Sequence, residues 1–163
     1  MPPRSITFSP AGGYQSMAAI RPFSADRFAP RRSTPGRMSV AFVKTDVFSE
    51  LRTLRDRGAR FDMVVLDPPK FAPTAAQARN AARAYKDINL LALKLLAPGG
   101  LLASFSCSGS VGAELFQSIV AGAALDAGAQ ARIVERFTAS ADHPVALEFP
   151  EGEYLKGLLV LKT

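Results

Sequence analysis

Short apolar runs that stop on polar residues alternate along this chain with stretches of helical spacing. Val40-Ala-Phe-Val43 reads as a buried strand ending at Thr45-Asp46. Val47, Phe48, Leu51 and Leu54 then recur at helical intervals, with Asp46 placed to cap the start and Gly58 to stop the end. Met63 to Leu66 follow as four consecutive apolar residues, too few for a helix and without alternation. That is the pattern of a strand covered on both faces of a parallel sheet, so Phe61–Leu66 is predicted to be central. The strand–helix–strand order predicts a right-handed parallel crossover.

Downstream the alternation continues. Thr74 to Arg83 is rich in alanine and arginine, and Tyr85 to Leu96 carries Ile88, Leu91 and Leu95 on one stripe, which predicts one long or broken helix stopped by Pro98-Gly-Gly100. Leu101 to Ser106 reads as a second buried strand, ending in Cys107-Ser-Gly-Ser110. A helix over Val111 to Ala127 rests on Leu115, Ile119 and Val120, with Gly128 to end it, and Ala131 to Phe137 reads as a strand. The tail is predicted as two strands, Ala146 to Phe149 and Tyr154 to Leu161, joined at Pro150-Glu-Gly-Glu153 into an antiparallel edge pair.

Residues 1–40 lack this texture, because six prolines interrupt them. A strand at Ser5 to Phe8, a turn at Pro10 to Gly13 and a short helix across Gln15 to Ile20 are expected there, with loop from Arg21 to Met38. The division is therefore 1–39 as an irregular segment and 40–163 as one α/β domain.

Composition narrows the class. With 163 residues, 48% apolar and 21% charged, the chain is globular and long enough for a substantial core. No apolar run approaches the roughly 20 residues that span a bilayer, so no membrane partner is expected. A single cysteine excludes an internal disulfide and a multi-cysteine metal site, which favours a reducing, cytoplasmic setting. The net charge of +6 suits a polyanionic partner, and its excess is concentrated at the amino end, where six arginines before residue 40 face the single acid Asp26.

Two places carry candidate chemistry. Asp67 sits where the central strand ends, and Pro68 and Pro69 cannot continue the ladder, so they stiffen the exit loop that holds Asp67 and Lys70 outward. Ligands of open α/β sheets bind at that edge. Cys107 follows the next buried strand and so falls on the same edge. A thiol with a pKa near 8.5 needs a neighbouring positive charge or backbone N–H groups to ionise at neutral pH, and Lys70 or the amino end of the following helix is placed to supply them. The plain alternatives are a Pro-Pro strand stop and a cysteine packed as a small hydrophobe.

Five segments in order, Asp67-Pro-Pro-Lys-Phe71, Tyr85-Lys-Asp-Ile-Asn89, Phe105-Ser-Cys-Ser-Gly109, Ala141-Asp-His-Pro-Val145 and Pro150-Glu-Gly-Glu-Tyr-Leu-Lys-Gly157, resemble the S-adenosylmethionine-dependent 23S ribosomal RNA cytosine-5 methyltransferases of the large-subunit methyltransferase I type. The resemblance covers residues 41–163. It implies a class I methyltransferase, Rossmann-like fold: a mainly parallel sheet with an antiparallel edge strand, incomplete at the amino end of this chain. It also implies ribosomal RNA as partner and S-adenosylmethionine as cofactor. Phe8-Ser-Pro-Ala-Gly-Gly-Tyr14 is similar to the family's first cofactor motif, which points to Gly12, but the interval to Asp46 is shorter than in the family. Residues 1–39 are thus expected to be a divergent remnant of the cofactor-binding half.

The resemblance assigns Cys107 as the nucleophile that adds to carbon 6 of cytosine, so that carbon 5 can accept a methyl group. Asp67 is expected to accept from the amino group of cytosine or of the cofactor, with Pro68 and Pro69 packing on the base and Lys70 beside the thiol. Asp46 would receive the adenine amino group, or serve only as the helix cap, and Asp26 is the acid available for the ribose hydroxyls. Lys86 and Asn89 read as residues that orient the loop or meet phosphate or, more plainly, as a solvated helix face, and His143, the one histidine, as a loop residue or a proton shuttle. A contrasting reading is a non-catalytic fold remnant that binds RNA through its basic start. An incomplete sheet also favours association, with a homodimer as one form it can take, and the oligomeric state is left open by the sequence.

Overall fold

The computed structural model describes residues 5–8, 17–18, 44–71 and 78–163. Strands β1 (Ser5–Phe8), β4 (Phe61–Leu66), β5 (Leu96–Ser106), β7 (Lys156–Lys162) and β6 (Ala131–Phe137) form one sheet in that spatial order. A separate two-stranded ladder pairs β2 (Met17–Ala18) with β3 (Lys44–Thr45). β1, β4 and β5 run parallel, with Phe8 opposite Leu66 and Leu66 opposite Ser104, so all three end on one edge. β7 runs against both of its neighbours.

Helices α1 (Val47–Asp56), α2 (Ala78–Leu95) and α3 (Ala113–Asp126) pack side by side with α2 in the middle. α2 presents Ala81, Tyr85, Ile88, Ala92 and Leu95 at three- and four-residue intervals, and all are buried against the sheet. Across from them lie Phe61, Val64 and Leu66 of β4, Leu102 of β5, and Leu158 and Val160 of β7. Fully burying one such side chain stabilises by about 1.5–3 kcal/mol, so this single interface dominates the fold. Burial of β4 is uneven: Val64 and Leu66 are enclosed, whereas Met63 and Val65 are half-buried.

Local signals behave as their chemistry requires. The Asp46 carboxylate accepts from the Ser49 backbone N–H at 2.8 Å and caps α1. Gly58 and Gly128 adopt φ of 66° and 65° just past α1 and α3, a left-handed stop that a side chain would strain.

Several expectations are corrected. Met17–Ala18 is extended, so the helix across Gln15 to Ile20 does not form there. Residues 40–43 lie outside the described set, and β3 covers only Lys44–Thr45. The expected crossover from residues 40–43 thus starts outside the described residues; among those described, β3 pairs with β2, and β4 with β1 and β5. Residues 72–77 also lie outside, and the helix is described from Ala78.

Pro98-Gly-Gly100 does not separate α2 from a strand at Leu101. α2 ends at Leu95 and β5 begins at Leu96, with the Pro-Gly-Gly segment bulging between the Phe61–Leu96 and Met63–Leu101 pairs. Gly99 takes φ 78° in this bulge, and a Cβ on Gly100 would stand 2.9 Å from the Ala97 carbonyl oxygen. Finally, Ala146 to Phe149 forms no strand. The antiparallel pair at the sheet edge joins β7 to β6, with β6 outermost and β7 one place in.

Candidate active site

The site is built where β4, β5 and β7 meet at one edge. Leu66 pairs with Ser104, and β5 runs two residues further to Ser106, which pairs with Lys156 at the start of β7. Asp67 therefore leaves β4 beside the last residues of β5, and Cys107 is the first residue beyond that strand, half-buried and unoxidised. Pro68 is buried and Lys70 exposed, so the loop anchors on the first proline and turns its cation outward.

Beneath this edge a row of rings ties the elements together. Phe48 on the first turn of α1 lies 6.2 Å from Phe71 on the exit loop. Phe71 meets Tyr85 of α2 edge-on at 4.8 Å, and Tyr85 meets Phe116 of α3 edge-on at 5.6 Å. Each edge-to-face pair adds about 0.5–1.5 kcal/mol beyond its buried area. The row fixes the loop after Asp67 against the helix that faces Cys107.

Tyr85 also brings polar chemistry to the core. Its ring is wholly buried, its hydroxyl accepts from the Ser106 hydroxyl at 2.9 Å, and it shares a hydrogen bond with the Ser108 hydroxyl at 3.3 Å. The Ser108 N–H donates to Ser106 Oγ at 3.3 Å. Both residues flanking Cys107 are thereby tied to one point on α2. Burial pushes the Tyr85 hydroxyl pKa up; the bonds to Ser106 and Ser108 oppose this, and the charges of Cys107 and Asp67 add to it. The tyrosine is thus a neutral hydroxyl next to the two candidate reacting groups.

Lys156 closes the other side. Its Nζ donates to the carbonyls of Ser108 at 2.7 Å and Val111 at 2.5 Å, gripping the turn that follows Cys107. Burial lowers its pKa first; the Cys107 charge opposes that lowering and Lys70 adds to it. Lys156 therefore sits within electrostatic reach of both Cys107 and Lys70.

Sequence reasoning did not single out Lys156 or Tyr85, although both lie in quoted motifs. Buried Ser106 and Ser108 carried no signal beyond the Ser-Cys-Ser run. Asn89 is fully buried and donates to the Tyr85 carbonyl at 2.8 Å, and its Oδ1 has no hydrogen-bond partner among the described residues. The solvated-face reading fails for Asn89 and holds in part for Lys86, whose side chain stays 42% exposed while pairing with Asp126 of α3 at 2.8 Å. His143 lies in an exposed loop beside Asp142, 3.2 Å from its carboxylate. Ser140 and His143 hold the Asp142 carboxyl below its usual range. Gly12 and Asp26 lie outside the described residues. No group of three metal-ligating side chains occurs among the described residues, and no helix there is long and apolar enough to cross a membrane.

The sheet of this chain, with order β1-β4-β5-β7-β6 and β7 reversed, superposes on solved methyltransferases. A Streptococcus mutans protein described as a SAM-dependent methyltransferase superposes with a TM-score of 0.61 at 16% identity, over 76% of this chain and 32% of its own. A methyltransferase homologue from Pyrococcus horikoshii superposes with a TM-score of 0.53 at 17% identity, over 78% and 46%. The fold is that of the class I methyltransferases. No family model matches the chain.

Sequence carries the assignment further. Ribosomal RNA large subunit methyltransferase I of Tolumonas auensis is 63% identical over 119 residues, 73% of this chain and 30% of that protein. The Shewanella amazonensis protein of the same name is 57% identical over 120 residues, and an Escherichia coli one 55% over 116. Over that stretch the chain belongs to the ribosomal RNA large subunit methyltransferase I family. It spans about 30% of the length of these curated relatives.

Proposed function

We propose that this chain carries the target-base half of an S-adenosylmethionine-dependent ribosomal RNA methyltransferase that forms 5-methylcytosine through a covalent adduct at Cys107. The observation that carries the proposal is the position of the chain's one thiol. Cys107 is half-buried at the carboxyl end of β5, flanked by serines fixed to Tyr85, next to the strand that ends in Asp67.

The described residues fit one end of the cofactor. Asp46 and Asp67, at the carboxyl ends of β3 and β4, are acceptors of the kind an adenine amino group needs, and an acidic edge suits a sulfonium cation. Gly12 and Asp26 complete that half in the same reading, with Pro68 beneath the cofactor or the base. When bound, S-adenosylmethionine supplies an electrophilic methyl group.

This chain's residues prepare the acceptor. The Cys107 thiolate adds to carbon 6 of cytosine, the 5,6 double bond opens, and the electron pair moves into an enamine that makes carbon 5 nucleophilic. Asp67 accepts from the exocyclic amino group, orienting the ring, while Lys70 faces the polyanionic backbone. After carbon 5 gains the methyl group, its proton leaves to a base, the double bond re-forms and the thiolate departs. The test uses RNA containing 5-fluorocytidine with S-adenosylmethionine. Fluorine cannot leave as a proton, so a covalent adduct accumulates, and Cys107→Ala abolishes it; an adduct that persists in that variant removes Cys107 from the mechanism. The absence of S-adenosylmethionine binding at millimolar ligand by calorimetry leaves the basic RNA-binding module as the reading for this chain.

A further inference from the structure

We propose that the loop joining β6 to β7 is a docking surface for a basic polypeptide segment that carries apolar side chains. Phe137 at the end of β6 pairs with Gly157, and Lys156 pairs with Ser106, so residues 138–155 leave and rejoin the sheet at the edge where Cys107 stands. Connections longer than about 12–15 residues are uncommon in compact domains and are commonly functional. Two of the five motif segments, Ala141–Val145 and Pro150–Gly157, fall here, and the methyl-transfer chemistry proposed above draws on neither.

The loop turns apolar side chains to the outside. Leu147 is 99% exposed, Phe149 59% and Tyr154 48%. Val145, Leu147 and Phe149 alternate as one face of a strand does, yet the segment joins no ladder, so that face is left without a sheet to bury it. The surface is already shaped. Phe149 N–H donates to the Ala146 carbonyl at 3.0 Å, Gly152 N–H to Phe149 at 3.0 Å and Glu153 N–H to Pro150 at 3.1 Å. Val145 and Phe149 close over Gly152, where a Cβ would stand 3.3 Å and 3.6 Å from their side chains. An ordered surface loses less entropy when a partner binds.

Charge selects the occupant. Residues 138–155 contain Asp142, Glu148, Glu151 and Glu153 and no lysine or arginine, so the loop carries −4 in a chain of net +6, and the rest of the chain carries +10. Asp142 is engaged by Ser140 and His143. Glu148, Glu151 and Glu153 are exposed and form no ion pair among the described residues. Lys156, the next cation along the chain, is turned inward to the carbonyls of Ser108 and Val111. Apolar side chains set among these carboxylates repel an RNA backbone or an anionic membrane, and they complement a polycation with apolar anchors.

The test titrates the full chain into a fluorescein-labelled peptide of lysine and leucine in equal parts, read by fluorescence anisotropy. Peptides of lysine with serine and of glutamate with leucine separate charge from apolar contact, and each is expected to bind about tenfold more weakly or worse. Two variants locate the surface: Leu147→Ser with Phe149→Ser, and Glu148→Gln with Glu151→Gln and Glu153→Gln. Each should weaken the lysine–leucine peptide by about tenfold or more. The glutamine variant touches exposed side chains alone, so its thermal melting by circular dichroism should match the parent's, and added salt should weaken its binding less than the parent's. Parent-like affinity in both variants overturns the proposal. Single-stranded RNA that shifts the amide NMR signals of residues 145–154 would also overturn it, by assigning the surface to nucleic acid.

Discussion

Tyr85→Phe removes one oxygen from the floor of the site and leaves the packing in place. The edge-on contacts with Phe71 and Phe116 need only the ring, so they survive. What is lost is the 2.9 Å bond from Ser106 and the weaker 3.3 Å contact with Ser108. A net hydrogen bond contributes about 1 kcal/mol, and a buried hydroxyl left without its acceptor costs about 1–3 kcal/mol more. Ser106 Oγ still accepts from the Ser108 N–H, which offsets part of that cost. The expected loss is about 2 kcal/mol, or roughly 4–8 °C in Tm for a chain of this size.

Urea unfolding followed by circular dichroism reads this loss as a lower midpoint with unchanged slope. Ser106→Ala breaks the same bond from the other end. The double variant should therefore lose less than the sum, with a coupling of about 1 kcal/mol. Tyr85 also leaves a pH signature. Its folded pKa lies above its unfolded one, so the stability it adds is complete below about pH 10 and is lost as pH rises through the folded value. The gap between parent and Tyr85→Phe should narrow in that alkaline range. Strict additivity of the double variant, or a Tyr85→Phe midpoint equal to the parent's, would show that the hydroxyl does not brace the Cys107 strand end.

Two further substitutions probe the frame. Lys162 Nζ donates to the carbonyls of Leu93 at 2.9 Å and Leu96 at 2.8 Å, where α2 ends with no loop, so Lys162→Met should cost about 1 kcal/mol or slightly more and speed amide exchange in the last turn of α2. Unchanged exchange there would mean that the carbonyls find other partners. In Gly157→Ala a Cβ would stand 2.6 Å from two ring carbons of Phe105 and 3.1 Å from Phe137 Cβ, disturbing a stack of 5.6 Å. A loss of about 1–3 kcal/mol is expected, with ring-proton shifts of both phenylalanines in NMR; a neutral substitution would show that the Phe105 ring swings aside freely.

Much of the fold was legible because its signals are local. The apolar run Met63–Leu66 needs no partner to be read as a strand, and Asp46 needs only the N–H of Ser49 to be read as a cap. Gly58 and Gly128 are set by their own φ angles. Errors arose where the deciding partner is remote. Pro98-Gly-Gly100 reads as a stop in isolation, yet β4, paired with Leu96 before it and Leu101 after it, holds the bulge inside a strand. Asn89 reads as a polar surface residue until α1 and α3 enclose the helix that carries it.

The same distinction governs the site. Asp67 and Cys107 could be placed on one edge from sequence, since each follows a strand that its own residues announce. Lys156 could not, because reading the tail as a hairpin with Ala146–Phe149 pairs β7 with the wrong strand and leaves its lysine beside a turn. Only the insertion of β7 between β5 and β6 sets Lys156 opposite Ser106. The reversal of β7 matters as much as its place. A parallel strand in that slot would begin at the far edge of the sheet, and its first residue would lie at the opposite end from Cys107. Antiparallel entry makes the first residue of β7 a neighbour of the last residue of β5, and it carries Lys162, at the other end of the strand, to the carbonyls that end α2. One strand thereby places one ammonium beneath the reactive edge and another beneath the helix whose Tyr85 braces it.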